Sequence, residues 1–460
     1  MSHLELIYSI SPVPVQNIIM SAYGYYWAYL KYSRNFDHFL KWLEKTEHLN
    51  RRELLELQTR ELKRVINYSY YNVPYYRRVF RRHNLKPDDI KTIEDLKKIP
   101  ILTKEDVRYN FKSLISQKYH RWQYSIKHTS GTTGTALNIV WSNEATMKEY
   151  AFVERIRRRA GVDSRELHAT FAGRIVVPLR QTKPPFWRYN SAEKQYYFSM
   201  HYLTKENLKY YTEKLRQIHP SYIEGYPSLI YVVAEYILKY EDLIPVKAVF
   251  TSSETLLSYQ RKSIEEAFQC KVFDRYGMTE LAASIGECEE GGYHIDAEYG
   301  IIEFLKDGEE VSEGEVGEMV CTNFINDAFP LIRYKIGDLA RPLGDACSCG
   351  RTLPLVKEII GRIDDILITK RGAYLGRLDH IFKEMHNIKE SQIIQESIDK
   401  IVVKVVPRED FSEKDISKLI KEFQKRLGTD MEIEIKLVDQ IPREKSGKFR
   451  AVISKVPFRL

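Results

Sequence analysis

The sequence predicts an α/β protein with a helical start and a small, separate α+β unit at its C-terminal end. Three observations carry this. In the first hundred positions apolar residues recur at helical spacing. Between residues 248 and 273 an apolar strand, a helix and a second strand follow one another, the pattern of a parallel crossover. After Gly361 the strand and helix pattern starts afresh, which divides the chain into units 1–361 and 362–460. A chain of 460 residues with 43% hydrophobic and 29% charged side chains is of ordinary globular composition. That composition excludes collagen-like, low-complexity and wholly disordered classes, and the length suits two to three domains.

Taken in order, the stretch from Pro12 to Leu30 is apolar and aromatic but carries Gln16, Asn17, Ser21 and Gly24, so it reads as a helix packed on its own domain rather than one lying on a membrane. Leu55, Leu62, Val65 and Ile66 fall on one helical stripe, which Asn72-Val73-Pro74 ends. Thr92 with Asp95, and Thr103 with Asp106, have the spacing of helix caps. Ala248–Ser252 is a short strand, Ser258 caps a helix through about Phe268, and 271–273 is the second strand. Residues 301–305 and 317–323 add antiparallel strands. In the last unit, 400–406 is a strand, 412–427 a helix and 431–437 a half-buried strand. No internal repeat is present.

Several function classes recede. Five cysteines, an odd number, argue against a secreted disulfide framework. Met1-Ser2-His3-Leu4-Glu5 shows no basic start before a cleavable apolar run, and no window has the ~18 apolar residues of a transmembrane segment. A reducing cytoplasm is the expected compartment. The net charge of +8 is a small surplus, and the clusters Arg77, Arg78, Arg81, Arg82 and Arg155, Arg157, Arg158, Arg159 read as solvated helix faces. Thirty-two scattered tyrosines form no stacking motif, so no nucleic acid is expected as partner. No histidine pairs recognisably with a Ser or Cys nucleophile, and the absence of a G-x-S-x-G elbow counts against a hydrolase.

Five segments carry chemistry. Thr129-Ser130-Gly131-Thr132-Thr133-Gly134-Thr135 combines glycines that aim backbone N–H groups with hydroxyls that suit phosphate oxygens; alone, it fits a plain Gly/Thr turn equally well. Asp274-Arg275-Tyr276-Gly277-Met278-Thr279-Glu280 follows the second crossover strand, where ligands bind, and offers an aromatic ring and a carboxylate; the alternative is a capped βα-loop. Tyr334-Lys335-Ile336-Gly337-Asp338 ends in a Gly-Asp pair able to meet ribose hydroxyls. Gly361-Arg362-Ile363-Asp364-Asp365 opens the last unit. Ser446-Gly447-Lys448 presents a lysine on a turn near the end.

In this order the segments resemble the acyl-adenylate-forming superfamily from end to end. Within it, Gln58, the run Asn72-Val73-Pro74-Tyr75-Tyr76-Arg77, Asp95-Leu96 and Pro100-Ile101-Leu102-Thr103-Lys104 resemble the phenylacetate–CoA ligase group. Ser11-Pro12, Gln16-Asn17 and Tyr23-Gly24 are similar to its capsular-polysaccharide-biosynthesis branch. The resemblance implies a large adenylate-forming domain followed by a mobile lid. It implies an ATP-dependent, AMP-forming ligase that activates a small-molecule carboxylate with Mg²⁺ and passes the acyl group to CoA. An amine acceptor in cell-surface polysaccharide assembly is the first alternative; an inactive scaffold of the same fold is the second. A homodimer is compatible with the sequence.

Carried over residue by residue, the resemblance has Ser130, Gly131, Thr132, Thr133 and Gly134 cradle the leaving phosphates. Ser253 and Glu254 line the adenine edge, Tyr276 stacks on the base beside Asp274 and Gly277, and Asp338 holds the ribose. Thr279 touches the α-phosphate and Glu280 holds Mg²⁺. Arg362 sits near the phosphates, Asp364 is the hinge, and Lys448 bridges carboxylate and α-phosphate. Tyr222, Gly225, Tyr226 and Pro227 lie in a turn where the family lines its acyl pocket. Thr135-Ala136-Leu137 departs from the Pro-Lys-Gly of many members, so no lysine helps from that side.

Separately, Cys288, His294, Cys347 and Cys349 offer three thiolates and an imidazole, a set that suits tetrahedral Zn²⁺ in a structural role. The alternative is unlinked cysteines with a surface histidine. Cys270 and Cys321 read as core residues.

Overall fold

The computed structural model describes residues 3–129, 137–344, 346–362, 367–368, 374–375, 381, 385, 387–428, 430–443 and 449–456. Helices His3–Ile10, Val13–Lys31, Phe36–Thr46, Arg51–Asn72 and Pro74–Arg82 form its start. Asn50 and Glu53 close a reciprocal cap on Arg51–Asn72, and Val73, held extended ahead of Pro74, ends it. Leu62, Val65 and Ile66 are buried as the stripe predicts, but Leu55 is 49% exposed. Leu54 takes its place because the first turn packs on Ala297 and Leu353. Thr103 and Asp106 form the expected cap. Thr92 and Asp95 do not start an α-helix; Asp95 accepts from the Lys91 and Thr92 N–H groups ahead of the short 3₁₀ turn Glu94–Lys98.

A thirteen-stranded mixed sheet organises the larger part. At its centre His168–Ala172, Tyr222–Gly225, Ala248–Ser252 and Lys271–Gly277 lie side by side and parallel. Helices Pro227–Tyr240 and Ser258–Phe268 cover one face, burying Ile223, Val249 and Val272 against Ile230, Ala234, Ile264 and Phe268. Asn143–Arg159 covers the other face, with Ile156 against Tyr222, Ala248 and Phe273. The crossover is as predicted, with two differences. Ser258 is the first helical residue rather than the cap, which is Leu257, whose N–H donates to Gln260 Oε1 at 3.1 Å. The second strand also runs on to Gly277, because Asp274 accepts from Thr251 of the neighbouring strand and Arg275 binds Ser284 on the other side and Glu149 of the covering helix.

The solvated reading of the second arginine cluster is overturned for Arg155 and Arg157, while Arg158 stays exposed as expected. Arg155 is 1% exposed, bound to Asp296 at 2.5 Å, Glu298 at 2.8 Å and Glu47 at 3.2 Å. Arg157 is also buried and pairs with Glu224 at 2.6 Å. The helix carrying them is covered by Phe36–Thr46, so its polar stripe meets carboxylates from distant segments instead of water. Arg78, Arg81 and Arg82 are exposed as expected.

Helix Val13–Lys31 packs on the sheet edge, where Asn17 and Ser21 accept from the Tyr189 and Ser191 N–H groups, both at 3.0 Å. Among the described residues no helix is long and apolar enough to cross a membrane. The C-terminal strands Glu432–Leu437, Lys400–Pro407, Ile388–Ser397 and Val452–Ser454 form a second sheet. Helix Glu413–Leu427 packs on it through Leu419 and Phe423, giving this part its own core. It meets the larger part where Arg408 binds Glu235 and Tyr231 donates to the Lys389 carbonyl at 3.2 Å.

Candidate functional site

The central parallel strands end at Gly225, Ser252 and Gly277, and the predicted Ser253, Glu254, Thr279 and Glu280 follow within three positions of the last two ends. Ser253 is exposed with φ +73°, a left-handed conformation that costs a non-glycine residue free energy and turns the chain sharply off the strand. Glu254 follows. It accepts from the Ser228 N–H at 3.2 Å and from the Phe449 N–H at 2.5 Å. Burial raises the Glu254 carboxyl above its ordinary range, opposed by those donors.

Tyr276 donates its hydroxyl to Asp338, joining the central strand to Tyr334–Leu343. Burial first, and the Asp338 charge second, hold the Tyr276 phenol well above its usual value. Gly337, at φ +79°, makes the bend ahead of Asp338. Strand register sets Asp338 directly opposite Arg362. The Thr279 carbonyl accepts from the Trp141 indole at 2.7 Å, and Glu280 accepts from the Tyr334 hydroxyl at 3.5 Å. Leu281, buried at φ +54°, closes this loop. Asp274 stands lower in the strand, accepting from Thr251 at 2.7 Å and Tyr293 at 3.1 Å.

Ser130, Gly131, Thr132, Thr133, Gly134, Asp364 and Lys448 lie outside the described residues, as does the Arg362 side chain. Their flanks are placed. Strands Tyr124–His128 and Asn138–Ser142 pair as a hairpin, and Thr129 and Leu137 bond across its end. On the C-terminal side Arg443 binds Glu390 at 2.5 Å and lies over the Phe449 ring at 4.4 Å. Tyr222 is not in a turn: Tyr222–Gly225 is a strand, and the Tyr222 ring stacks on His168 at 4.5 Å inside the sheet packing. Gly225 and Tyr226 do reach the strand's end, and Pro227 begins the helix.

Cys288, His294, Cys347 and Cys349 bring their ligand atoms within 4.8 Å of one another. The Cys288 and Cys347 sulfurs are 3.7 Å apart, and Cys349 Sγ is 3.3 Å from His294 Nε2. Bond lengths of ~2.3 Å to sulfur and ~2.0 Å to nitrogen set tetrahedral edges near these values, so the donors fit Zn²⁺. His294 Nδ1 meets the Leu353 carbonyl at 3.1 Å, which leaves Nε2 toward the cysteines. A Cβ at Gly292 would lie 2.9 Å from the Cys347 sulfur, so any side chain there would displace that thiol. Burial lowers the His294 imidazole, favouring its neutral, ligating form. Burial also pushes the Cys288 thiol up to about 12, a cost that a bound cation would offset. Trp141 was not singled out from the sequence, since its contact is with a backbone carbonyl 138 positions away.

The model for the CapK C-terminal domain matches residues 367–455. Protein CapK of Staphylococcus aureus is 30% identical, the alignment covering 98% of this chain and 100% of that one. Phenylacetate-coenzyme A ligase of Thermus thermophilus is 26% identical over 88% of this chain and 98% of its own. Among solved structures, 2-hydroxyisobutyryl-CoA ligase in the postadenylation state superposes with a TM-score of 0.71 at 20% identity, covering 90% of this chain and 92% of that one. With full-length identity at that level and the acyl-adenylate-forming fold beneath it, the chain belongs to the CapK family, a phenylacetate–CoA ligase-like branch.

Proposed function

We propose that the protein is an ATP-dependent, AMP-forming carboxylate ligase that makes an acyl-adenylate and transfers the acyl group to CoA. The observation that carries this is the meeting of Glu254, beyond a central strand, with the Phe449 N–H, the residue after Lys448. It brings Phe449 to the carboxyl end of strand Ala248–Ser252, which pairs with the strand that carries Tyr276. The CoA ligases among the relatives and neighbours support the choice of thiol. Full-length likeness to CapK keeps an amine on a cell-surface sugar precursor as the second acceptor.

In this reading the 130–134 turn, at the tip of the hairpin, holds the β- and γ-phosphates, and Glu254 with Ser253 borders adenine. Tyr276 stacks on the base, its hydroxyl orienting Asp338 toward the ribose, while Asp274 and Gly277 shape the strand that presents it. Mg²⁺, bound at Glu280, would neutralise phosphate charge. Thr279, its carbonyl pinned by Trp141, points its side chain at the α-phosphate, with Arg362 alongside. Lys448 meets the carboxylate as it attacks, stabilising charge that builds only there. We place the lid at 362–460, turning about Asp364, in a cytoplasmic enzyme. Cys288, His294, Cys347 and Cys349 hold a structural Zn²⁺ behind the nucleotide strands. Acid-dependent exchange of labelled pyrophosphate into ATP tests the reading; no exchange across a broad carboxylic-acid library would refute it. Product mass after adding CoA or an aminosugar then identifies the acceptor.

A further inference from the structure

Lys127 and Arg174 stand near the proposed site, and no carboxylate among the described residues pairs with either. Lys127 is half-buried in the hairpin strand that leads into the 130–134 turn, its ammonium 3.9 Å from the Trp27 ring and 6.0 Å from that of Trp141. Trp141 is the residue that binds the Thr279 carbonyl. Arg174 follows the carboxyl end of strand His168–Ala172, lying 5.8 Å from the Tyr23 ring and 5.5 Å from that of Tyr197. Tyr23 and Trp27 pack edge to face at 6.1 Å, so one aromatic wall from helix Val13–Lys31 joins the two cations.

The neighbouring cations are paired. Lys31 binds Glu193 at 2.7 Å, Arg157 binds Glu224 at 2.6 Å and Arg275 binds Glu149 at 2.9 Å. Among the described residues neither Lys127 nor Arg174 binds a carboxylate. Burial and the Arg174 charge both lower the Lys127 ammonium, so an anion between the two cations would relieve their repulsion. Ring faces offset part of this but leave both cations able to accept an anion.

Resting on the ligase reading, we propose that Lys127 and Arg174 bind an anionic group carried by a reactant other than ATP, a second carboxylate on the acid being activated or an acidic group on the acceptor. The position favours the acid. Lys127 enters from the phosphate-loop side and Arg174 from the strand ends beside Gly225, so a diacid held between them presents its far carboxylate to the cations and its near one toward the nucleotide.

The test uses full-length enzyme and matched acids: butyrate with glutarate, benzoate with isophthalate, and phenylacetate with 4-carboxyphenylacetate. In pyrophosphate exchange a diacid should be preferred over its partner. Lys127→Gln and Arg174→Gln should each raise its KM about tenfold or more, the loss of a charge-assisted contact. The ATP KM and the melting temperature should hold, and Lys127→Arg and Arg174→Lys should restore binding. If exchange is unchanged but the acceptor's KM rises in the transfer step, the anion is the acceptor's. Unchanged constants in both steps, or an equal rise in ATP KM with every acid, would overturn the proposal. If no acid supports exchange, the ligase reading fails on its own. Quenching of tryptophan fluorescence by isophthalate, lost in both Gln variants, would then still support the anion site, and its absence would remove it.

Discussion

Arg155 is the residue whose setting departs furthest from its sequence context. Its guanidinium is surrounded by Glu47, Asp296 and Glu298, and Glu298 also accepts from Thr46. Removing one member of such a buried network leaves uncompensated charge, so Arg155→Ala should cost about 3–5 kcal/mol in denaturant unfolding. A loss below about 1 kcal/mol would mean that water reaches the site. Glu224 gives a pH-dependent counterpart. Burial raises its carboxyl, but Arg157 and His168 outweigh burial and bring it down to about 2. A carboxyl lowered on folding stabilises above its unfolded value of ~4.3 and loses that contribution as pH falls through the folded value. The stability advantage of wild type over Glu224→Gln should therefore be full above about pH 4.5 and shrink toward pH 2; a difference independent of pH would exclude the Arg157 pairing as its source.

At the scale of elements, the Cys/His cluster ties the turn after strand Ser284–Glu287 to residues 347–349 ahead of strand Leu355–Arg362, two strands that flank Tyr293–Ile295. A metal there would close a loop of some sixty positions and brace strand Ser284–Glu287, the neighbour of Lys271–Gly277. Chelation, or Cys347→Ser, should lower the melting temperature by roughly 5 °C or more while the remaining folded enzyme keeps its exchange rate. Gly292→Ala should weaken the metal as well, because its methyl group meets the Cys347 sulfur. Metal analysis of protein purified without chelators is the check, and less than a tenth of an equivalent of zinc would end this assignment.

At the scale of the whole molecule, the ligase reading requires the C-terminal part to serve one step and release for the next. Lys448→Ala should slow pyrophosphate exchange roughly 10²–10³-fold, yet leave transfer from supplied acyl-adenylate largely intact. Equal loss in both steps would place Lys448 in some other role. The crossover, the separate C-terminal sheet and the order of the chemical segments were legible in the residues alone. A strand's alternation, a capping Thr-Asp pair or a glycine turn is a local pattern, complete within a few consecutive positions. The grouping of Cys288, His294, Cys347 and Cys349 was likewise legible in their residue types, and their ligand atoms converge in the fold. Which charges are solvated was not legible. Arg155 and Asp296 are 141 positions apart, and Arg155 and Arg157 are interior because helix Phe36–Thr46 and distant carboxylates cover their side of the helix, while Arg158 is exposed. The end of the second strand at Gly277 and the strand setting of Tyr222 have the same origin: whether a polar or aromatic side chain stays in a sheet depends on partners that only folding supplies, since its hydration is lost whether or not they arrive.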